Sequence, residues 1–150
     1  MSWLNKTAFS CVLGVLVFAA PAPQTSSPTY FPFAYVQRDC TPTDGVGLNF
    51  YFTSKKSECG KYNEPFVEIY VWENPPKSAP YSIELSGHAG GASRCLKSGI
   101  CEAAVSAKLH LSRFNDGDSA SGDYELHFKD GSVEKGKFDA AWCRIKFICG

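Results

Sequence analysis

The stretch 105–111, VSAKLHL, and the stretch 122–131, GDYELHFKDG, decide the fold of this chain. Apolar and polar side chains alternate in both, which is the period of a β-strand that buries one face and exposes the other. Asp130-Gly131 suits a tight hairpin turn, because glycine tolerates positive φ and aspartate bonds the turn backbone. The two stretches therefore predict antiparallel strands with one solvated face.

The same period of two recurs along the chain, between turn-forming glycine, proline, asparagine and aspartate residues. No stretch keeps a helical apolar stripe for long. The pattern predicts seven strands, over residues 46–53, 66–73, 81–86, 103–114, 123–129, 133–138 and 144–148. Short strands separated by turns predict an all-β fold, namely an antiparallel β-sandwich or, as the alternative, a small barrel.

The amino terminus has the order of a secretory signal peptide. Lys6 ends a short first region, an apolar run over 11–18 follows, and small residues come next. Proline interrupts the run before it reaches the roughly 20 residues that a membrane span needs. We expect a signal peptide over 1–19, a linker over 20–37 and a single β domain over 38–150. The mature protein is then secreted or periplasmic, without membrane insertion.

The charge balance excludes two partner classes. The chain has 15 Lys and Arg and 15 Asp and Glu residues, and loss of Lys6 with the signal peptide leaves 14 basic against 15 acidic residues. Nucleic acid and anionic membrane surfaces both demand a dense basic face, which this sequence does not offer. The expected partner is therefore an extracellular protein or a glycan.

Six of the seven cysteines follow the signal peptide: Cys40, Cys59, Cys95, Cys101, Cys143 and Cys149. Exported proteins meet oxidising conditions and no C-x-x-C pair is present, so we predict three disulfides and no metal site among these thiols. The residues between Cys95 and Cys101 can turn, which makes that pair the preferred one. A strand over 144–148 would hold Cys143 and Cys149 too far apart to bond. The other four would then tie the amino-terminal region to the last strands.

Two histidines suggest a metal hypothesis. If residues 115–122 close a hairpin, either His110 faces His127 directly or, after a shift of two, His110 faces Glu125 and Lys108 faces His127. Both registers would cluster two imidazoles and a carboxylate, which are ligands that suit zinc or copper. The alternative interpretation is a solvated sheet face with ordinary polar residues.

The same hairpin loop offers oxygen ligands of the kind that calcium prefers, from Asp116, Asp118 and Asp123. The loop lacks the order of an EF-hand, and a solvated hairpin loop explains the same composition.

Two further residues are candidates for ligand binding. Trp72 shares strand parity with Glu68 and Tyr70, and exposed aromatic side chains can hold ligands. His88 lies in a loop rich in glycine, where backbone can approach a ligand closely. Neither G-x-S-x-G nor H-E-x-x-H occurs, so we predict no catalytic residue and no cofactor.

The end of the chain has the pattern G-x-Y-x-L-x-F-x-D-G over 122–131, followed by G-x-F-x-A-x-x-C over 136–143. This pattern resembles the closing pattern of uncharacterised exported bacterial all-β proteins. The resemblance covers about a sixth of the chain and consists largely of the residue pattern that β-hairpins share. It implies an exported β-domain with a terminal disulfide and brings no activity with it.

These observations predict a secreted, disulfide-stabilised β-sandwich that acts as a non-catalytic binding or structural module. Two alternatives remain at this point. One is a small metal-assisted extracellular enzyme that uses an exposed face with His110 and His127. The other is a secreted inhibitor of a protease or toxin.

Overall fold

The computed structural model describes residues 31–73, 78–96, 99–146 and 148–149, and the predicted signal peptide lies outside these ranges. Within them the chain forms nine strands: β1 (Phe33–Cys40), β2 (Val46–Thr53), β3 (Phe66–Val71), β4 (Tyr81–Leu85), β5 (Gly90–Cys95), β6 (Cys101–Ala103), β7 (Ser106–Asn115), β8 (Ser119–His127) and β9 (Val133–Trp142). No helix in this part of the chain has the length and apolar character to cross a membrane.

All nine strands belong to one sheet, in the order β4-β7-β8-β9-β1-β2-β3-β5-β6. The all-β class is confirmed, whereas the sandwich is not, because the continuous sheet curls into a half-barrel instead of dividing into two layers. Neighbouring strands are antiparallel except β1 and β9, which pair in parallel with Ala34 opposite Ala140. This parallel joint connects the carboxy-terminal meander to the amino-terminal strands.

Strand β2 has the predicted bounds, and five other predicted strands overlap observed ones with shifted ends. The strand predicted over 144–148 is wrong, because the described residues of this range do not pair with any strand. The flanking cysteines, Cys143 and Cys149, bond to Cys59 and Cys40. The prediction missed three strands: β1, which begins inside the predicted 20–37 linker, β5, and the short β6, of which only Ala103 fell in a predicted strand. Val105 is exposed, because it precedes the first residue of β7.

Strand β5 begins with two glycines, Gly90 and Gly91, and the sequence pattern therefore predicted a turn there. Gly90 has a φ of 142°, and a Cβ there would lie 2.1 Å from the carbonyl oxygen of Tyr70. At Gly91 a Cβ would lie 2.6 Å from the Tyr70 hydroxyl oxygen. The pair therefore permits close approach between β3 and β5, which is a known use of glycine inside a strand.

The predicted turn at Asp130-Gly131 is confirmed. Gly131 has a φ of 81°, and the Ser132 backbone N–H donates to Asp130 Oδ1 over 2.9 Å. Hydrogen bonds from Ser132, with a further one from Arg94, lower the pKa of Asp130 to about 2. Aspartate and glycine thus have the roles in this hairpin that their turn chemistry predicts.

The inward side chains of the curled sheet form the core. Aromatic rings meet at its centre, where the Phe52 ring centroid lies 4.6 Å from that of Tyr124 and 5.2 Å from that of Phe138. Each large apolar side chain that is fully buried contributes about 1.5–3 kcal/mol to stability. The most deeply buried are Val36, Leu48, Phe50, Phe52, Val67, Ile69, Leu109, Leu111 and Leu126.

Three disulfides close the fold: Cys40–Cys149, Cys59–Cys143 and Cys95–Cys101, with Cα–Cα distances of 5.4, 5.3 and 4.0 Å. The preferred pair of the sequence analysis is confirmed, as is the expectation that the other four cysteines join the amino-terminal region to the end of the chain. Three disulfides indicate an oxidising compartment, extracellular or periplasmic.

Candidate functional site

The two histidines of the metal hypothesis lie apart. His110 pairs with Asp123 and His127 with Ser106, so both predicted registers are wrong. One reason is that β8 begins at Ser119, which shortens the predicted 115–122 loop, and the other is a bulge in β7 between Leu111 and Arg113, which shifts the register by one further residue. His110 Nδ1 lies 3.0 Å from Asp123 Oδ2, and His127 Nε2 lies 2.7 Å from Glu125 Oε1. Among the described residues no group of three or more His, Cys, Asp or Glu could hold a metal ion.

Four charged residues form a row across β4, β7, β8 and β9, which we name the charge ladder: Glu84, Lys108, Glu125 and Lys135. Lys108 Nζ lies 3.0 Å from Glu84 Oε1, and Lys135 Nζ lies 2.9 Å from Glu125 Oε2. Hydrogen bonds from Lys135 and His127 lower the pKa of Glu125. Alternating charge across a solvated sheet favours this strand register and contributes little net stability.

A second row beside the charge ladder has the residue types of a hydrolase triad. Ser82 lies opposite His110, and His110 lies opposite Asp123, beside a depression of about 330 Å³. The His110 and Asp123 side chains are 41% and 55% exposed. Serine hydrolases act in water-excluded sites with donors for a developing oxyanion. This open sheet face does not provide such an environment, so we assign the row no catalytic role.

The calcium candidates are each engaged by a different partner. Asp116 forms an ion pair with Arg38, Asp118 accepts a hydrogen bond from Ser119 Oγ at 3.0 Å, and Asp123 contacts His110. Their carboxylates therefore do not converge in the manner of an ion cage.

His88 is exposed in the turn between β4 and β5. The turn is closed by the Ala89 N–H, which donates to the Ser86 carbonyl over 3.2 Å. Its role in ligand binding stays a prediction.

The outward side of β1, β2 and β3 has a different character, and we name it the aromatic–carboxylate face. Its members are Asp39 on β1, Asn49 and Tyr51 on β2, Glu68 and Tyr70 on β3, and Trp72 directly after β3. In the pairing of β2 with β3, Tyr51 lies opposite Glu68 and Asn49 lies opposite Tyr70. Because strand side chains alternate between faces, these residues share one side of the sheet.

A hydrogen-bond network joins the polar members of this face. Asn49 Nδ2 donates to Asp39 Oδ2 at 3.2 Å and to Glu68 Oε1 at 3.1 Å, and the Tyr51 hydroxyl donates to Glu68 Oε1 at 2.8 Å. Burial, with a smaller contribution from the charge of Asp39, raises the pKa of Glu68 although Tyr51 donates to it. Burial likewise raises the pKa of Tyr51. The network is therefore short of positive charge.

Trp72 and Tyr70 stack beside this network, with ring centroids 5.1 Å apart and an interplanar angle of 27°. The Trp72 backbone N–H donates to the Ala89 carbonyl over 3.0 Å, which fixes the end of β3 against the turn before β5. Both rings are half-buried and line a shallow depression of about 380 Å³. Its other lining residues are Cys40, Thr41, Pro42, Asn49 and Glu68.

The segment 54–65 covers the other half of the aromatic–carboxylate face. Tyr62 stacks on Tyr51 at 3.9 Å between ring centroids, and its hydroxyl donates to Gln37 Oε1 over 2.7 Å. The Cys59–Cys143 disulfide ties this segment to the end of β9. The segment leaves the Trp72 side open, which is why the depression lies there.

Sequence reasoning singled out Trp72 and its shared parity with Glu68 and Tyr70, but it missed Asp39 and Asn49. Asp39 and Asn49 lie beside Glu68 because β1, β2 and β3 are neighbours in the sheet. Since β1 was not predicted as a strand, nothing in the sequence indicated this neighbourhood. Comparison of the chain with protein-family models, with curated proteins and with solved structures finds no match.

Proposed function

We propose that the protein is a secreted or periplasmic, non-catalytic binding module whose aromatic–carboxylate face binds a glycan. The observation that carries the proposal is the stacked Trp72–Tyr70 pair in an open depression beside hydrogen-bonding groups. The three disulfides support export, in agreement with the predicted signal peptide.

The chemistry of a sugar ring matches both halves of this depression. Its C–H faces can pack on the aromatic rings, and its hydroxyl groups can bond to carboxylate and amide oxygens. The volume of about 380 Å³ lies within the range of roughly 300–1,000 Å³ that small-molecule sites occupy. An open, shallow shape suits a segment of a chain-like ligand better than a small molecule that must be enclosed.

The two alternatives have less support. A metal-assisted enzyme would need His110 and His127 to converge, and each pairs with its own carboxylate. A protease or toxin inhibitor would need an inserted loop or an apolar patch, whereas the stacked Trp72–Tyr70 pair lies in a depression lined by polar groups.

The test is a glycan array followed by isothermal titration calorimetry with the glycan that binds best. We expect Trp72→Ala to weaken binding at least about tenfold, because loss of a central aromatic contact removes more than about 1.4 kcal/mol. Trp142→Phe is the matched control, since Trp142 packs against Phe114 away from this face. Absence of binding to any glycan, or binding that Trp72→Ala leaves unchanged, overturns the proposal.

A further inference from the structure

We infer that the glycan held by the aromatic–carboxylate face carries a positively charged amine, as an amino sugar does. The inference rests on the proposed function and names the ligand class for the same site. It comes from the charge and the aromatic character of the depression together.

The first observation is the charge of the site. One amide nitrogen, Asn49 Nδ2, lies within hydrogen-bond distance of both the Asp39 and the Glu68 carboxylate. Among the residues that the structure describes, neither carboxylate has an ion-pair partner. Glu68 lines the depression and Asp39 lies next to it on β1. Within the described part of the chain both carboxylates accept hydrogen bonds from neutral donors only, so their negative charge is uncompensated.

The second observation is the aromatic wall. Trp72 and Tyr70 present a stacked pair of rings in the same depression as Glu68. The face of an aromatic ring attracts a cation within about 6 Å of its centroid, most strongly for tryptophan. The site therefore combines cation–π attraction with carboxylate acceptors, and both favour a positively charged ligand group.

The competing ligand classes fit the site less well. A neutral sugar would stack on the rings, but it would displace water from the carboxylates without supplying a positive charge to pair with them, which is unfavourable. An acidic sugar would add a third negative charge to the depression. A protonated amine instead donates charge-assisted hydrogen bonds, which are roughly twice as strong as neutral ones.

The test compares two oligosaccharides that differ only in the amine. The probes are the β-1,4-linked hexamer of glucosamine and the hexamer of N-acetylglucosamine, titrated calorimetrically in mildly acidic buffer where free amines are protonated. We expect the glucosamine hexamer to bind about tenfold more tightly to the wild-type chain. That preference is expected to shrink as salt is added, because salt screens exposed charges.

The variant Asp39→Asn/Glu68→Gln removes both charges and keeps an acceptor oxygen at each position. It is expected to abolish the preference, whereas Glu84→Gln on the charge ladder, which removes a carboxylate elsewhere, is expected to retain it. Glu68→Gln alone provides a milder second variant, and circular dichroism checks that each variant is folded.

The outcomes separate the two proposals. Equal binding of both hexamers, with Trp72→Ala weakening both, overturns the amine inference and supports the proposed function. A preference that survives Asp39→Asn/Glu68→Gln shows general attraction of a polycation and also overturns the inference. If neither hexamer binds and the glycan array is blank as well, both proposals fail.

Discussion

The charge ladder and the aromatic–carboxylate face are two solvated surfaces of the same sheet, and the carboxylates on them have pKa values shifted in opposite directions. On the charge ladder Glu125 lies between Lys108 and Lys135, and its pKa is lowered. On the aromatic–carboxylate face Glu68 has only neutral donors, and its pKa is raised. The charges of the first surface neutralise one another, whereas the second surface holds unpaired carboxylates beside stacked aromatic rings, which is why we propose it as the ligand site.

The difference originates in what covers each surface. The charge ladder is open to water, so its ions keep their hydration. The segment 54–65 and its disulfide place Tyr62 over one half of the aromatic–carboxylate face, which partly dehydrates Tyr51 and the neighbouring Glu68. One cross-link thus shapes the electrostatics of the candidate site.

The largest effect is expected from removing that cross-link. Cys59 and Cys143 are 84 residues apart in sequence and Cys95 and Cys101 are 6 apart. Loop-closure entropy then gives a loss of about 4.5 kcal/mol for Cys59→Ala/Cys143→Ala and of about 2 kcal/mol for Cys95→Ala/Cys101→Ala. Chemical denaturation measures both, and the first variant alone is expected to weaken glycan binding. Equal losses of stability and unchanged binding would contradict the role given to segment 54–65.

The next effect concerns Glu134, the chain neighbour of Lys135 that points to the opposite side of β9. It is 7% exposed, and its Oε1 has no hydrogen-bond partner among the described residues. Burial raises the pKa of Glu134 to about 7. The folded state therefore holds a proton that the unfolded state releases, so the free energy of unfolding falls as pH rises from about 4.5 to about 7.

Comparison with Glu134→Gln isolates this contribution. Relative to the variant, the wild type is expected to lose on the order of 3 kcal/mol across that pH window, because each pKa unit corresponds to about 1.4 kcal/mol. Denaturant titrations at a series of pH values measure it. Parallel stability curves for the two proteins would show that Glu134 titrates normally.

The smallest effect tests the comparison of the two surfaces directly. Glu68 has a raised pKa and Glu125 a lowered one. Ionised Glu68 therefore weakens the fold at neutral pH and ionised Glu125 strengthens it. We expect Glu68→Gln to raise the free energy of unfolding and Glu125→Gln to lower it, each by less than the effect at Glu134. Changes of the same sign in both variants would show that the two surfaces are electrostatically alike.

The sequence predicts the local features of this fold and misses the long-range ones. Alternation alone identified β2, and turn chemistry identified Asp130-Gly131. The parallel pairing of β1 with β9 has no local signal, because it depends on how the sheet curls. Asp39 could not be placed beside Glu68 for a different reason, because β1, which carries Asp39, was not predicted as a strand.

Both predicted histidine registers were wrong because β8 begins a few residues earlier than predicted and because β7 contains a bulge between Leu111 and Arg113. Small residues near Ser119 resemble a loop, yet they extend β8 and move every cross-strand partner of β7. Trp72 was identifiable because its parity with Glu68 and Tyr70 is a local property. The acidic and aromatic character of the surroundings of Trp72 could not be identified from the sequence, because residues of three strands contribute to it.

The most direct test of the account is a ¹H–¹⁵N spectrum of the mature chain titrated with the glycan that binds best on the array. Trp72 and Trp142 are the two tryptophans that remain after the predicted signal peptide, so two indole N–H resonances are expected. We expect the Trp72 indole resonance to shift with ligand concentration while that of Trp142 stays in place. A shift at Trp142 or along the charge ladder, with Trp72 unmoved, would contradict it.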